Sequence, residues 1–175
     1  MPQIWNTTGQ KLHPQVLKYT VGDDYILDQK VFLPYDLKAS LAHAEMLVRL
    51  KILTNKEFSQ IKKGLAEIKN LWEKGKFIIT QEQEDCHAAI EQYLTKKYGK
   101  AGEKIHTGRS RNDQSLVMIR LYEIDALKRI LNLSEKLITE WRKWARKNGK
   151  IKMPGYTHMQ KAMPTTVGVW QSAYA

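Results

Sequence analysis

Nearly every side chain from Lys104 to Gln114 can donate or accept a hydrogen bond, and a long run without glycine or proline follows. Because that run predicts a helix, the segment lies at a helix N-terminus, where backbone N–H groups and the helix dipole favour an anion. The arginine, serine, threonine and asparagine side chains in it suit carboxylates in particular. The alternative is a solvated polar turn followed by a helix cap. The segment therefore predicts either a carboxylate-binding loop or an ordinary turn.

A second polar segment covers residues 153–160. Pro154 and Gly155 predict a turn, and the Thr157 hydroxyl can hold a carboxylate. His158 follows, and a histidine at the junction of a loop and a helix is a candidate acid or base. A purely structural role for His158 is the alternative, since single histidines often have one.

A third polar cluster starts with the acidic pair Glu84 and Asp85, followed by Cys86 and His87. Glu91 lies four residues after His87, so the two share one helix face. A metal site would need more ligands than this segment supplies, and we expect Cys86 to point elsewhere, so we assign no metal. The alternative is an acidic first helical turn with a histidine on the surface. The sequence shows no recognisable serine–histidine–acid arrangement, glycine-rich phosphate loop or zinc-ligand spacing.

The elements that position these segments are predicted to be helices. Residues 1–30 are predicted to be irregular because proline and glycine interrupt them. A capping box formed by Thr54 and Glu57 begins the second helix, and the apolar residues 77–79 form an extended connector. The predicted helices run from Pro34 to about Leu53, from Thr54 to Gly75, from about Gln83 to Tyr98, from Asn112 to Asn148, and from near Thr165 onwards.

The predicted helix over residues 112–148 would be roughly 50 Å long, far longer than an average globular helix. Its apolar side chains form a stripe with a near-heptad rhythm, which must be buried against other long helices. We therefore predict an all-α fold, with a small N-terminal helical domain over residues 1–111 and the start of a long-helix bundle over residues 112–175. Because apolar residues continue to the last position without a cap, we expect the sequence to be the front part of a longer protein.

Composition limits the remaining classes of function. The formal net charge is +11, but the lysines are spread along the chain, and Trp141 and Trp144 lie three residues apart on one helix face with cations on the other. We therefore expect no nucleic-acid partner. No apolar stretch approaches the roughly 20 residues of a membrane span, and no secretory signal is visible, so we expect no membrane partner. The single cysteine fits a cytoplasmic location.

The first two polar segments resemble signatures of a known family. The strings His106-Thr107-Gly108-Arg109-Ser110-Arg111-Asn112-Asp113-Gln114 and Gly155-Tyr156-Thr157-His158-Met159-Gln160-Lys161-Ala162 are similar to two motifs of the argininosuccinate lyase family. That family belongs to the superfamily of fumarase, aspartase and adenylosuccinate lyase. Residues 35–44 and 84–91 agree with it as well. The four segments occur in the family's order and spacing, which favours the functional interpretation of His158 and of the loop.

The resemblance implies a mainly helical homotetramer that splits argininosuccinate into arginine and fumarate by β-elimination, without a metal or an organic cofactor. It implies that His158 belongs to the proton-transfer machinery, as acid or as base. It also implies a set of substrate-binding residues, with His87 in or near the pocket: Asn112, Thr157, Ser110, Arg111 and His87.

The resemblance also implies that segments of three subunits form each active site. One of them carries a serine on a flexible glycine-serine loop that this sequence does not contain, so we expect the chain alone to be inactive. The family's Trp-Gly-Gly-Arg-Phe opening is replaced by residues 5–9, and its Asn-Ala-Ser segment by residues 21–24. We therefore assign no substrate contacts before residue 30. The alternatives are a sibling such as adenylosuccinate lyase, or a non-enzymatic structural or assembly fragment, in the way that lens crystallins reuse this scaffold.

Overall fold

The computed structural model describes residues 13–175 and is mainly helical, as predicted. A two-stranded antiparallel hairpin near the C-terminal end is a minor addition to the all-α class. In chain order the elements are α1 (Pro14–Val21), α2 (Asp24–Leu27), a π-helical turn (Asp28–Phe32), α3 (Leu33–Arg49), α4 (Asn55–Glu73), a 3-10 turn (Gln81–Gln83), α5 (Cys86–Tyr98), α6 (Lys100–Glu103), a second 3-10 turn (Lys104–His106), α7 (Arg111–Asn148), β1 (Lys152–Thr157), β2 (Gln160–Thr166) and α8 (Val167–Ser172).

The predicted irregular start of the chain is wrong from residue 14 onwards, because α1, α2 and the π-helical turn occupy most of residues 14–32. Pro14 occupies the start of α1, where its missing N–H costs nothing. Gly22 ends the same helix with a φ of 56°, a conformation that glycine adopts without strain. Two of the residues that suggested irregular structure, Pro14 and Gly22, are therefore helix boundaries. Residues 1–12 lie outside the described part of the chain, and so does the departure from the family at residues 5–9.

The described residues form two compact units, residues 13–122 and residues 123–175. The core of the first unit combines apolar side chains of α3, α4, α5 and the first turns of α7. Helices α4 and α5 approach closely at Gly64, where a Cβ would collide with the Leu94 and Tyr98 side chains. The largest fully buried apolar side chains of this core are Leu33, Leu47, Ile61, Ile68, Ile90, Leu94 and Ile105. This core holds α3, α5 and the start of α7 together.

The predicted capping box at the start of α4 is confirmed. The Glu57 carboxylate accepts hydrogen bonds from the Thr54 N–H at 2.8 Å and the Thr54 hydroxyl at 2.9 Å. Lys104 donates to the same carboxylate at 2.6 Å. The Lys104 hydrogen bond, followed by the two from Thr54, lowers the pKa of Glu57 from 4.5 to about 2. These contacts fix the start of α4 to the 3-10 turn Lys104–His106, which leads into residues 107–114, called the signature loop below.

We expect the Glu57 carboxyl to titrate with a midpoint near pH 2 in the folded chain, as NMR of the side-chain carboxyl would measure. Because the folded pKa lies below the unfolded one, the stabilisation is fully present above about pH 4.5 and is lost as the pH falls through about 2. Thr54→Ala should move the midpoint upwards, whereas Thr139→Ala, in an exposed turn of α7, should leave it unchanged. A midpoint near 4.5 in the wild-type chain would contradict the capping geometry.

In the second unit, Trp141 of α7 contacts Trp170 and Tyr174, with ring centroids 6.1 and 6.0 Å apart. This contact agrees with the interpretation of Trp141 as part of an apolar helix face. Other apolar side chains of α7 are exposed within the chain, namely Leu127, Ile130, Leu131, Leu133 and Leu137. The predicted stripe is therefore present on α7, but apart from its Trp141 end most of it is not covered by the described residues. No helix within residues 13–175 combines the length and the apolar character needed to cross a lipid bilayer.

Candidate active site

The first unit contains a chain of three polar side chains centred on His87. His87 Nδ1 lies 2.8 Å from Asp36 Oδ2, and Nε2 lies 3.2 Å from the Ser115 hydroxyl. Asp36 is fully buried and His87 is 5% exposed. Burial by itself lowers the pKa of His87, but the hydrogen bond and the charge of Asp36 outweigh it, so the pKa is raised. The alternative interpretation of His87 as a surface histidine is therefore wrong.

Cys86 lies beside this chain of polar groups. Its Sγ is 3.8 Å from His87 Nδ1, 3.7 Å from Asp36 Oδ2 and 3.6 Å from Met118 Sδ. The expectation that Cys86 points elsewhere is wrong with respect to His87, because the first turn of α5 brings both side chains towards α3. Burial, followed by the charges of Asp36 and Asp28, raises the pKa of the Cys86 thiol well above its usual value. Within the described chain, Asp36, Cys86 and His87 could together hold a metal ion.

The signature loop is connected to the same group of residues through Arg109. Both terminal guanidinium nitrogens of Arg109 lie 3.4 Å from the Ser40 hydroxyl, and one donates to the Ile105 carbonyl at 3.0 Å. The Ser40 hydroxyl in turn donates to Asp36 Oδ1 at 3.4 Å. Burial lowers the pKa of Arg109, and the charge of Asp36 partly opposes that effect. The Arg109 guanidinium thus connects the loop to Ser40 of α3.

The C-terminal end of the loop leads into α7, which begins at Arg111. Ser110 and Asp113 cap each other, since the Asp113 carboxylate accepts from the Ser110 N–H at 2.8 Å and the Asp113 N–H donates to the Ser110 hydroxyl at 3.3 Å. Both Ser110 and Asn112 are exposed. Arg111 is held against the start of α5, 2.8 Å from Glu84 and 3.2 Å from Asp85. The helix cap of the alternative interpretation is therefore present, and the exposed Asn112 remains available next to it.

His158 lies at the tip of the hairpin formed by β1 and β2. Thr157 pairs with Gln160, so His158 and Met159 form a two-residue turn, with φ angles of 52° and 64°. Positive φ at both central residues is typical of a type I′ turn. The loop predicted for residues 153–160 is thus mostly strand, and Pro154–Tyr156 marks an irregularity in the pairing rather than the turn. The His158 side chain is exposed.

The structure brings some predicted site residues together and leaves others in separate units. Ser110, Arg111, Asn112 and His87 all lie in the first unit, around the start of α7 and α5. Thr157 and His158 lie in the second unit, on the hairpin. Their roles in binding and proton transfer stay predictions.

Sequence reasoning did not single out four residues that hold His87 and the loop, namely Asp36 and Ser40 of α3, Arg109 of the loop itself and Ser115 of α7. Asp36 and Ser40 are separated by four residues within an otherwise apolar helix face, a pattern that places two polar side chains together in the core. That pattern was the available signal for the first two. Ser115 has no comparable signal, because a serine near the start of a helix is most simply explained as solvated.

Comparison with known proteins identifies relatives of this chain. A family model described as a lyase matches residues 18–175. The argininosuccinate lyase of Thermotoga neapolitana is 46% identical over 171 residues, which cover 98% of this chain and 42% of that protein. The argininosuccinate lyase of Xanthomonas axonopodis pv. citri is 39% identical over 172 residues, covering 98% and 40% respectively. The chain thus spans about two fifths of the length of the curated relatives that it matches.

Solved structures agree in fold. A variant of EDDS lyase with bound fumarate superposes with a TM-score of 0.72 and 27% identity, over 95% of this chain and 32% of that one. A fumarate lyase from Mesorhizobium sp. BNC1 superposes with a TM-score of 0.64 and 22% identity, over 95% and 38%. With a family model that matches most of the sequence and a fold that these structures share, the chain belongs to the lyase family of the fumarase and aspartase superfamily.

Proposed function

We propose that this chain contributes substrate-binding and proton-transfer residues to an argininosuccinate lyase, which splits argininosuccinate into arginine and fumarate. Both the similarity to named relatives and the chemistry of the reaction support this proposal. The relatives at 46% and 39% identity carry that name, and a solved structure at 27% identity contains fumarate. The reaction removes a proton from the carbon beside a carboxylate and expels the guanidino nitrogen, so it needs an acid, a base and donors that stabilise a dicarboxylate carbanion.

The observation that carries this proposal is the presentation of His158. Its exposed imidazole lies at the tip of a two-residue turn, and a left-handed backbone at a residue other than glycine costs of order 1–3 kcal/mol. A Cβ at Gly155 would lie 2.7 Å from the Met163 carbonyl oxygen, so a glycine there lets the two strands that hold the turn approach. A histidine held in this way can transfer a proton to or from a substrate without first becoming ordered. Thr157, immediately before it, binds a substrate carboxylate.

The start of α7 supplies the other donors. Asn112 and Ser110 are exposed there, at the positive end of a helix of 38 residues. We propose that Asn112 donates to one substrate carboxylate, with Ser110 and Arg111 beside it. Because Arg111 is already paired with Glu84 and Asp85, its main effect is to orient the loop, with less net charge left for the substrate. We propose that His87 lies in or near the pocket that these residues form.

Self-association belongs to the same proposal. The exposed apolar side chains of α7, of which Leu131 and Leu133 are each 64% exposed, form a surface typical of protein interfaces. We propose that they pack in a homotetramer and that each active site combines hairpin and α7 residues of different copies. The single cysteine, which is buried and reduced, fits a cytoplasmic enzyme.

An exchange of segments tests this function. The aligned portion of the Thermotoga neapolitana enzyme is replaced by this chain, which is 46% identical to it. We expect the chimera to release fumarate from argininosuccinate, as ultraviolet absorbance would show, and to leave adenylosuccinate intact. We expect the 175-residue chain alone to release none, because its sequence does not contain the glycine-serine loop that the resemblance implies. In the chimera, the rest of the Thermotoga neapolitana enzyme would supply that loop.

Each outcome separates the alternatives. A chimera that assembles like the parent enzyme but cleaves neither substrate would favour the non-enzymatic structural role. Cleavage of adenylosuccinate would favour the sibling lyase. Fumarate release by the isolated chain would show that residues outside it are not needed for turnover.

A further inference from the structure

We propose that Asp36, Cys86 and His87 form a binding site for a thiophilic divalent cation of the zinc class, bordered by the Met118 thioether. The site shares His87 with the proposed substrate-binding residues, whereas Asp36, Cys86 and Met118 have no assigned part in the proposed lyase chemistry. Its donors come from three helices: Asp36 from α3, Cys86 and His87 from α5, and Met118 from α7. All four side chains are buried.

The distances from the Cys86 sulfur to the neighbouring donor atoms match a tetrahedral site. The three ligand atoms of Asp36, Cys86 and His87 lie within 4.8 Å of one another. The Cys86 sulfur lies 3.8, 3.7 and 3.6 Å from the His87 nitrogen, the Asp36 oxygen and the Met118 sulfur. With metal–sulfur bonds of about 2.3 Å and metal–nitrogen or –oxygen bonds of about 2.0 Å, tetrahedral ligands lie roughly 3.3–3.8 Å apart. The sulfur pairs are therefore already at coordination distance.

One pair is closer than a bound cation requires. His87 Nδ1 and Asp36 Oδ2 share a hydrogen bond of 2.8 Å, so this pair must separate by roughly half an ångström to coordinate. The cation takes the place of the proton between them. Binding then releases the thiol proton of Cys86 to solvent. The displaced Nδ1 proton also goes to solvent from an imidazolium, or moves to Nε2 in a neutral imidazole, so that bound His87 carries one proton, on Nε2. One thiolate and one carboxylate balance the two positive charges of the cation.

The surrounding hydrogen bonds orient the ligands as they do in known metal sites. With the cation on Nδ1, His87 Nε2–H faces the Ser115 hydroxyl at 3.2 Å, the outer-shell partner that a metal-bound imidazole needs. The Ser40 hydroxyl donates to Asp36 Oδ1, which leaves Oδ2 for the cation. The Cys86 N–H donates to Asp28 at 2.7 Å, and this bond fixes the start of α5. A set of thiolate, imidazole and carboxylate selects zinc, cadmium or cobalt over magnesium or calcium.

A cobalt titration of the purified 175-residue chain tests the site. Because Cys86 is the one cysteine of the sequence, any thiolate-to-cobalt charge-transfer band reports on this residue alone. We expect the band to saturate at one ion per chain under reducing, oxygen-free conditions and to disappear on addition of zinc. Zinc should also raise the melting temperature, since it binds the folded chain preferentially, whereas magnesium should not.

Variants locate the site. Cys86→Ser should abolish the band, and Asp36→Asn and His87→Asn should each weaken cobalt binding at least tenfold. Ser115→Ala should weaken it by about 10–100-fold through the outer shell, whereas Ser134→Ala, an exposed serine later in α7, should leave it unchanged. Far-UV circular dichroism of each variant shows that it is folded. The absence of a band in the wild-type chain would overturn the proposal, as would a band of equal affinity in the Asp36 and His87 variants, which would mean a loose thiolate adduct.

Discussion

Replacing His158 with asparagine should lower kcat for argininosuccinate cleavage by about 10²–10⁴-fold in the chimera, because a positioned acid or base contributes that much to a proton-transfer step. Asparagine keeps the polar character and tolerates the left-handed backbone that the turn requires, at a φ of 52°. The turn should therefore keep its shape while the titratable group is lost. Substrate binding should change little, so KM should stay within a few-fold of the wild-type value, and steady-state fumarate release measures both constants.

His13 provides the matched control for this substitution. It is an exposed histidine at the N-cap of α1, where its side chain accepts from the Gln15 N–H, and asparagine is an equally good N-cap. His13→Asn should leave kcat within a factor of two of the wild-type chimera. If His158→Asn retained most of the activity, the hairpin tip would have no part in proton transfer.

Replacing Asp36 with alanine should lower the free energy of unfolding by about 3 kcal/mol, since removal of one partner leaves the other buried polar group uncompensated. Asp36 is fully buried, accepts from Ser40 and lies 2.8 Å from His87. A domain of this size has a total stability of only about 5–15 kcal/mol, so the loss should be obvious in urea unfolding followed by circular dichroism. A chelator in the buffer removes any contribution from a cation at the proposed metal site.

Two variants separate the pairing of Asp36 from general effects of substitution. Asp36→Asn keeps the shape and one acceptor oxygen, so it should lose less stability than Asp36→Ala. Asp125→Ala removes an exposed aspartate of α7 and should change the stability by no more than about 0.5 kcal/mol. An Asp36→Ala chain within 1 kcal/mol of wild type would show that His87 finds another partner or solvent.

Local signals made much of the scaffold predictable. The capping box at Thr54 and Glu57 was predicted from two residues three positions apart and is confirmed. The predicted boundaries of α7 agree with the observed range to within one residue, because a run without glycine or proline permits uninterrupted i to i−4 hydrogen bonding. Such features depend on residues within one or two helical turns of each other, so the local sequence is enough to predict them.

Short elements were less predictable for the same physical reason. Helices α1 and α2 are brief, and a short helix gains its stability from tertiary packing rather than from its own residues. The hairpin was missed because its turn uses His158 and Met159 in left-handed conformations, where sequence patterns lead one to expect glycine or asparagine. There the pairing of β1 with β2 overrides the local preference of the two residues.

By itself, the sequence determined the helical class, the exposed donors at the start of α7 and the two motifs whose resemblance led to the lyase family. Only the tertiary structure decided what surrounds His87. Asp36 is 51 residues away along the chain and Ser115 is 28, and their approach results from the packing of three helices around one apolar core. Contacts of that kind leave no fixed spacing in a sequence, because burial rather than local hydrogen bonding sets which side chains meet.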